Sequence, residues 1–212
     1  MEDQGVARFP GARGRIPNFR GAEAAADRLA EQPEWRAAQV VKSNPDAPQL
    51  PVRRRARHDG KTLYMAVPRL GDDKPFVRVQ GDPTIRRALA EGDPVTVEEL
   101  GHVDLVVCGT VAVNRDGVRV GKGGGYSDLE LGLLVEAGLV DDTTTIVTTV
   151  HPIQLLDEPL PETAHDFRVG LVVTPDEVLR TGAARRSPGV IWDDLDAEKI
   201  AAIPVLAARR GR

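Results

Sequence analysis

GVRVGKGGGYSDLELGLLVEAG, residues 117–138, joins a strand, a glycine-rich loop and a helix within one short stretch. Residues 118–120 have the composition of a strand, and residues 127–137 carry leucines on one helical stripe that ends at Gly138. Between them, four glycines occupy the five positions 121–125. A strand that leads through a loop into a helix is typical of α/β proteins.

Strand-like and helix-like segments alternate along most of the chain. Short apolar runs predict strands at residues 38–41, 62–67, 103–113, 146–150 and 170–173. Helical patterns with proline or glycine stops predict helices at residues 21–32, 83–91, 127–137 and 175–180. The long apolar run at 103–113 indicates a strand covered on both faces. The alternation predicts an α/β fold of three layers, α/β/α, with a mostly parallel central sheet and with ligands beyond the carboxyl ends of its strands.

Composition narrows the class of protein. The chain has 212 residues, 41% of them hydrophobic and 28% charged, which suits one or two globular domains and argues against wholesale disorder. A net charge of −4 gives no uniform positive field for nucleic acid or an anionic membrane, and residues 143–156 are too short and too polar to span a bilayer. Cys108 has no cysteine partner, and the acidic start differs from a signal peptide. We therefore expect a cytoplasmic protein without a membrane or nucleic-acid partner.

The two ends of the chain differ from its middle. Residues 1–19 carry glycine and arginine without hydrophobic periodicity, so we expect a poorly ordered or wrapping segment there. Residues 20–182 are predicted to form a single α/β domain. Residues 183–212 are predicted to form a linker and a docking tail, with Trp192 as an anchor of the tail.

The glycine loop has the composition of an anion-binding site. Glycine costs conformational entropy, but its backbone can turn several N–H groups toward one point, and the helix that follows adds a favourable partial charge. Lys122 and Arg119 would supply full positive charges, which together suit a triphosphate. A tight loop with a solvated lysine is the alternative. The order of residues excludes the P-loop, in which Ser or Thr follows the lysine, and the dinucleotide-binding fingerprint.

Two acids are candidate metal ligands. Asp128 lies in the first turn of the predicted helix, where it either caps the helix or holds magnesium beside a phosphate. Asp166, which precedes the strand at 170–173, is either a turn residue or a second ligand. The two acids can act together only if their strands end at the same edge of the sheet. The four histidines show no metal-ligand spacing.

A basic cluster is formed by Arg53, Arg54, Arg55 and Arg57. Such a cluster is usually a solvated face, although it also fits nucleic acid or a polyglutamate chain. Tyr64 is the only aromatic residue close to it in sequence, so the cluster has no stacking platform for bases. We therefore favour the solvated face.

Residues 103–112 and 117–128 resemble the 5-formyltetrahydrofolate cyclo-ligase family, also called methenyltetrahydrofolate synthetases. The order of features continues through His165-Asp166, and the resemblance covers roughly residues 21–179. Residues 15–19 and 41–46 point to a divergent, synthetase-domain-like branch. The resemblance implies a Rossmann-like fold of the NagB/RpiA type.

The resemblance implies an ATP- and Mg²⁺-dependent enzyme. In such an enzyme the formyl oxygen of 5-formyltetrahydrofolate attacks the γ-phosphate, the N10 amine closes the ring, and 5,10-methenyltetrahydrofolate, ADP and phosphate are released. Lys122 and Arg119 would be the catalytic cations, and Asp128 and Asp166 would hold Mg²⁺. The residues implied in binding ATP are Arg119, Val120, Gly121, Lys122, Gly123, Gly124, Gly125, Tyr126 and Ser127.

The chain departs from the family pattern at several positions. Ser127 stands where the family usually has a second tyrosine, and Gly170 stands where it has an aspartate. The lysine and arginine that the family's N-terminal helix offers to ATP have no counterpart, although Arg13, Arg15 or Arg20 could substitute. Asp46 is the one acid in the region that would recognise the pterin. Two alternatives therefore stay open, a paralogue that acts on another heterocycle, as in thiamin-related salvage, and a nucleotide-binding regulatory module.

Overall fold

The computed structural model describes residues 1–182 and 187–210. Its strands are β1 (Val40–Ser43), β2 (Thr62–Ala66), β3 (Phe76–Arg78), β4 (Asp93–Val95), β5 (Leu105–Cys108), β6 (Ala112–Asn114), β7 (Arg119–Val120), β8 (Thr145–Thr149), β9 (Leu155–Leu156), β10 (Leu171–Val173) and β11 (Val178–Arg180). Its helices are α1 (Ala22–Ala30), α2 (Pro33–Ala37), α3 (Leu50–His58), α4 (Ile85–Glu91), α5 (Tyr126–Glu136), α6 (Ala197–Ala202) and α7 (Pro204–Arg209). No helix in these ranges is long and apolar enough to cross a membrane.

Eight strands form the central sheet, in the order β11-β10-β8-β5-β1-β2-β3-β4. The five strands from β10 to β2 run parallel to one another, and the outer strands β11, β3 and β4 run antiparallel to their neighbours. The carboxyl ends of the parallel strands therefore meet at one edge. This mixed, mostly parallel sheet confirms the predicted fold class.

Side chains alternate between the two faces of the sheet. In β5, Leu105 and Val107 join a core cluster with helices α1 to α4, whereas Val106 and Cys108 join a second cluster with α5, α6 and α7. Helices thus cover both faces, and the sheet is the middle of three layers. Cys108 is fully buried, where burial raises the pKa of its thiol and keeps it inert.

The prediction of one strand over residues 103–113 was wrong. The run divides into β5 in the central sheet and β6 in a separate sheet of order β7-β6-β9. The division falls at Gly109, which the side chains of Asp46 and Ile16 approach closely. From Val111 onward the backbone forms hydrogen bonds with β7 and not with the central sheet. The first of these runs from the Val111 N–H to the Val120 carbonyl at 2.8 Å.

The prediction of a helix at residues 175–180 was also wrong. Residues 178–180 form β11, which pairs antiparallel with β10. The side chain of Thr174 accepts hydrogen bonds from the N–H groups of Asp176 and Glu177 at 3.1 and 2.9 Å, and this turn directs the chain back along β10. A short apolar run after a proline does not distinguish these two structures.

Helix α5 is buried more completely than the predicted single stripe. All residues from 129 to 134 are buried, because the sheet covers one side of the helix and the segment 187–190 covers another. A Cβ on Gly132 would lie 2.8 Å from the carbonyl oxygen of Gly189. Gly132 therefore allows the two backbones to pack together.

Gly132→Ala should destabilise the protein by about 1–3 kcal/mol, because the new methyl group displaces the backbone at Gly189. Gly170→Ala is the matched control, since its Cβ would meet nothing closer than 3.9 Å. Urea denaturation of both variants measures the difference. Equal stabilities would show that segment 187–190 does not pack on α5.

Both ends of the chain contact the central domain. Ala7 and Phe19 form an isolated antiparallel bridge, and Phe19 and Ile16 are buried. Trp192 donates from its indole nitrogen to Glu136 at 3.1 Å. The predicted linker lies largely outside the described residues, at 183–186, and the predicted domain limits stay a prediction.

Candidate functional site

The glycine loop, residues 121–125, lies at the carboxyl edge of the central sheet. It connects β7 to α5. The Nζ atom of Lys122 lies 3.3 Å from a carboxylate oxygen of Asp46, in the loop that follows β1. The other carboxylate oxygen of Asp46 lies 2.7 Å from where a Cβ on Gly109 would stand, directly after β5. The loop therefore occupies the position that the sequence predicted for a ligand site.

The backbone of the loop depends on glycine. Gly123 and Gly125 have φ angles of +84° and +66°, in the left-handed region that side chains disfavour. Gly125 immediately precedes α5, and no side chain caps that helix. Within the described chain, the N–H groups of residues 121–125 donate to no carbonyl or side chain. The loop thus presents unpaired donors beside a helix N-terminus, as an anion site requires.

Arg119 lies at the base of the loop, with a side chain that is 4% exposed. One guanidinium nitrogen donates to Asp128 at 2.8 Å, and the group stacks 4.2 Å from the ring centre of Phe167. Its Nε is buried and has no partner among the described residues. Arg119 is thus a positioned cation with a free donor.

Asp128 and Asp166, the two predicted metal ligands, lie near enough for the charge of Asp166 to act on Asp128. Burial raises the pKa of Asp128; the charge of Arg119 opposes this shift, and the negative charge of Asp166 adds to it. Asp166 accepts hydrogen bonds from the Thr163 N–H at 2.6 Å and the Thr163 hydroxyl at 2.8 Å. Mg²⁺ prefers one or two carboxylates beside a phosphate and takes its remaining ligands from water and phosphate oxygens.

A buried polar network beneath α5 was missed from sequence. Lys42 on β1 forms a buried ion pair with Glu130 of α5 and donates to Asn44 at 3.1 Å. Asn44 in turn donates to the hydroxyl of Ser127 at 2.7 Å. The sequence feature that could have revealed this pair is a single charged residue in each of two otherwise uncharged segments, β1 and the buried part of α5. The network fixes the first turn of α5 against the sheet.

Arg53 is another structural residue that the sequence misassigned. The predicted solvated face is wrong for this arginine, because it is buried and donates to the carbonyls of Asn44, Asp46 and Pro83. Burial lowers its pKa to about 10, and the charge of Asp46 opposes that shift. Arg53 therefore holds the loop that presents Asp46.

The suggested substitutes for the missing N-terminal cations lie at the surface. Arg13, Arg15 and Arg20 are exposed, and none has a described contact with the glycine loop. Lys199, which the sequence did not single out, does contact the loop from α6.

The sheet topology and the loop define a three-layer α/β protein with a glycine-rich site at the carboxyl edge of its parallel strands. More particularly, the chain belongs to the 5-formyltetrahydrofolate cyclo-ligase family, whose sequence model matches residues 7–175.

The relatives support this assignment at different levels. A mouse methenyltetrahydrofolate synthase domain-containing protein is 38% identical over 228 residues, which cover all of this chain and 60% of the relative. The chain thus spans about three fifths of that relative's length. A 5-formyltetrahydrofolate cyclo-ligase of Mycolicibacterium smegmatis is 32% identical over 78 residues, 37% of each chain.

A solved structure shows the same fold. The 5,10-methenyltetrahydrofolate synthetase of Aquifex aeolicus aligns with a TM-score of 0.54 and 20% identity, over 82% of this chain and 88% of that one. At this identity the likeness establishes the fold alone.

Proposed function

We propose that the protein catalyses the ATP- and Mg²⁺-dependent cyclisation of 5-formyltetrahydrofolate to 5,10-methenyltetrahydrofolate. The observation that carries the proposal is the set of unpaired N–H groups at residues 121–125, placed beside Arg119 and Lys122. This arrangement supplies the donors and charges that a triphosphate needs. Family membership connects the site with formyltetrahydrofolate.

The residues divide into three roles. The loop amides, with Arg119, Lys122 and the flanking Val120, Tyr126 and Ser127, would bind ATP. Asp128 and Asp166 would hold Mg²⁺, whose charge would offset the negative charge of the phosphates. Asp46 would contact the pterin, because it lies between Lys122 and the carboxyl end of β5.

The protein's part in this reaction is positioning and charge stabilisation. The formyl oxygen forms a bond to the γ-phosphorus as the bond to ADP breaks. N10 then bonds to the formyl carbon and loses its proton to solvent, and the C–O bond to phosphate breaks as phosphate leaves. Arg119 and Lys122 would stabilise the charge on the transferred phosphoryl group. Lys122 is paired with Asp46 in the structure, so it must exchange this acid for phosphate.

Two observations favour a second candidate, a nucleotide-binding module without cyclisation. Ser127 replaces the usual tyrosine, and its hydroxyl is bound by Asn44 within the protein's own network. Gly170 replaces an acid of the family pattern. The same two observations also fit a paralogue that acts on another heterocycle.

The absorbance of methenyltetrahydrofolate in the near ultraviolet provides the test. We expect the full chain to form this chromophore from 5-formyltetrahydrofolate only with ATP and Mg²⁺. Lys122→Ala should lower kcat/KM about tenfold or more, because a charge-assisted contact to phosphate is lost. Lys74→Ala removes a lysine that instead contacts Pro94 and Glu99, and it should leave the rate unchanged. If the protein binds ATP but forms no methenyltetrahydrofolate, the second candidate is favoured. Turnover of one member of a panel of other heterocycles would instead identify a paralogue.

A further inference from the structure

Lys199 reaches the glycine loop from the C-terminal part of the chain. Its Nζ lies 3.3 Å from the carbonyl oxygen of Gly124 and 5.9 Å from the ring centre of Tyr126. It also lies 3.3 Å from where a Cβ on Gly125 would stand. The ammonium group therefore occupies the open, side-chain-free face of the loop.

The charges around the loop distinguish Lys199 from the other cations. Arg119 is paired with Asp128 at 2.8 Å, and Lys122 is paired with Asp46 at 3.3 Å. Across residues 1–182 and 187–210, no carboxylate lies within ion-pair distance of Lys199. Of these three cations, Lys199 is the one whose charge is not already offset by an acid, so it is available to an anionic ligand.

The surrounding structure holds Lys199 in place. The side chain of Asp196 caps α6 by accepting a hydrogen bond from the Lys199 N–H at 2.6 Å. Ile200 and Ile203, on either side of the end of α6, are buried in the core cluster beneath α5. The lysine is thus carried by an anchored element, which lowers the cost of ordering it around a ligand.

We propose that Lys199 is a phosphate-binding residue that the C-terminal helices supply to the glycine loop. The inference rests on the proposed function, since it assumes that ATP binds at this loop. On binding, Nζ exchanges the neutral carbonyl of Gly124 for a charged phosphate oxygen. Lys199 lies beyond residue 175, where the match to the family ends, and it supplies a cation that Arg13, Arg15 and Arg20 do not.

Equilibrium binding of ATP with Mg²⁺, and of adenosine, to the full chain tests this role by calorimetry. Lys199→Gln should weaken ATP binding about tenfold or more and should leave adenosine binding unchanged, because only ATP carries the phosphates. Lys199→Arg should stay within about threefold of the wild type, since it keeps the charge. Lys74→Gln is the control for a lost lysine charge. The weakening by Lys199→Gln should also shrink as salt is added.

The outcomes separate the inference from the proposed function. If the wild type binds ATP with Mg²⁺ and Lys199→Gln binds it equally well, the inference is wrong, and the ATP binding that the proposed function requires is still present. If Lys199→Gln weakens ATP and adenosine equally, the lysine only fixes the loop to the tail, and the inference is wrong. If the wild type itself binds no ATP, the proposed function fails, and the inference fails with it.

Discussion

Asp128→Asn should lower the rate of ATP-dependent cyclisation at least about a hundredfold, because it removes a carboxylate proposed to hold Mg²⁺. The asparagine oxygen can still accept the hydrogen bond that Arg119 donates at 2.8 Å, so the fold should survive. The concentration of Mg²⁺ needed for half-maximal ATP binding should rise about tenfold. Both quantities are measurable on the same preparation.

The matched control for Asp128→Asn is Asp27→Asn. Asp27 is an exposed acid on α1, where it pairs with Arg55 on the face of the sheet opposite to α5. This variant should cyclise at the wild-type rate. Asp166→Asn should resemble Asp128→Asn in its Mg²⁺ dependence. If Asp128→Asn keeps both its rate and its Mg²⁺ dependence, the metal assignment is wrong.

Lys42→Met should destabilise the protein by about 3–5 kcal/mol, because it leaves Glu130 buried without its charge partner. Burial already raises the pKa of Glu130 above its usual 4.5, and Lys42 opposes this shift. Without Lys42 the pKa should rise further. A carboxyl group with a raised folded-state pKa stabilises most below its unfolded pKa, and this contribution is lost as pH rises through the folded value. The deficit should therefore grow from pH 5 to pH 8, as measured by urea denaturation.

A second substitution separates the lost ion pair from lost packing. Lys42→Met/Glu130→Leu removes both charges, and it should recover most of the stability lost in Lys42→Met. Lys74→Met is the control on an exposed lysine and should be near neutral. If Lys42→Met unfolds at the wild-type urea concentration, the buried ion pair does not contribute to the stability of the fold.

The parallel strands were predictable because they are buried on both faces. β2, β5 and β10 are nearly continuous apolar runs, and hydrophobic patterns locate such runs well. The edge strand β11 was mistaken for a helix, since its three residues carry no periodicity and its turn depends on Thr174. The break at Gly109 was missed because the segments that approach this glycine, at Ile16 and Asp46, are distant from it in sequence.

From residue pattern alone, the site could be predicted best where it is local in sequence, whereas Asp46 was named from the family resemblance. The glycine loop and Asp128 lie within one stretch of the chain, so their neighbourhood follows from the strand and helix around them. The pairing of Lys42 with Glu130, and the reach of Lys199 to Gly124, join segments 88 and 75 residues apart. Composition carries no information about which distant side chains the tertiary packing brings together.

Backbone hydrogen exchange of the full chain, with and without ATP and Mg²⁺, is the most direct test of phosphate binding by the glycine loop. The N–H groups of residues 121–125 should exchange more slowly when ATP is bound, because they are unpaired in the structure and would then donate to phosphate oxygens. AMP, which lacks the β- and γ-phosphates, should protect them less. Saturating ATP that protects another surface and leaves these amides at their original rates would contradict the account.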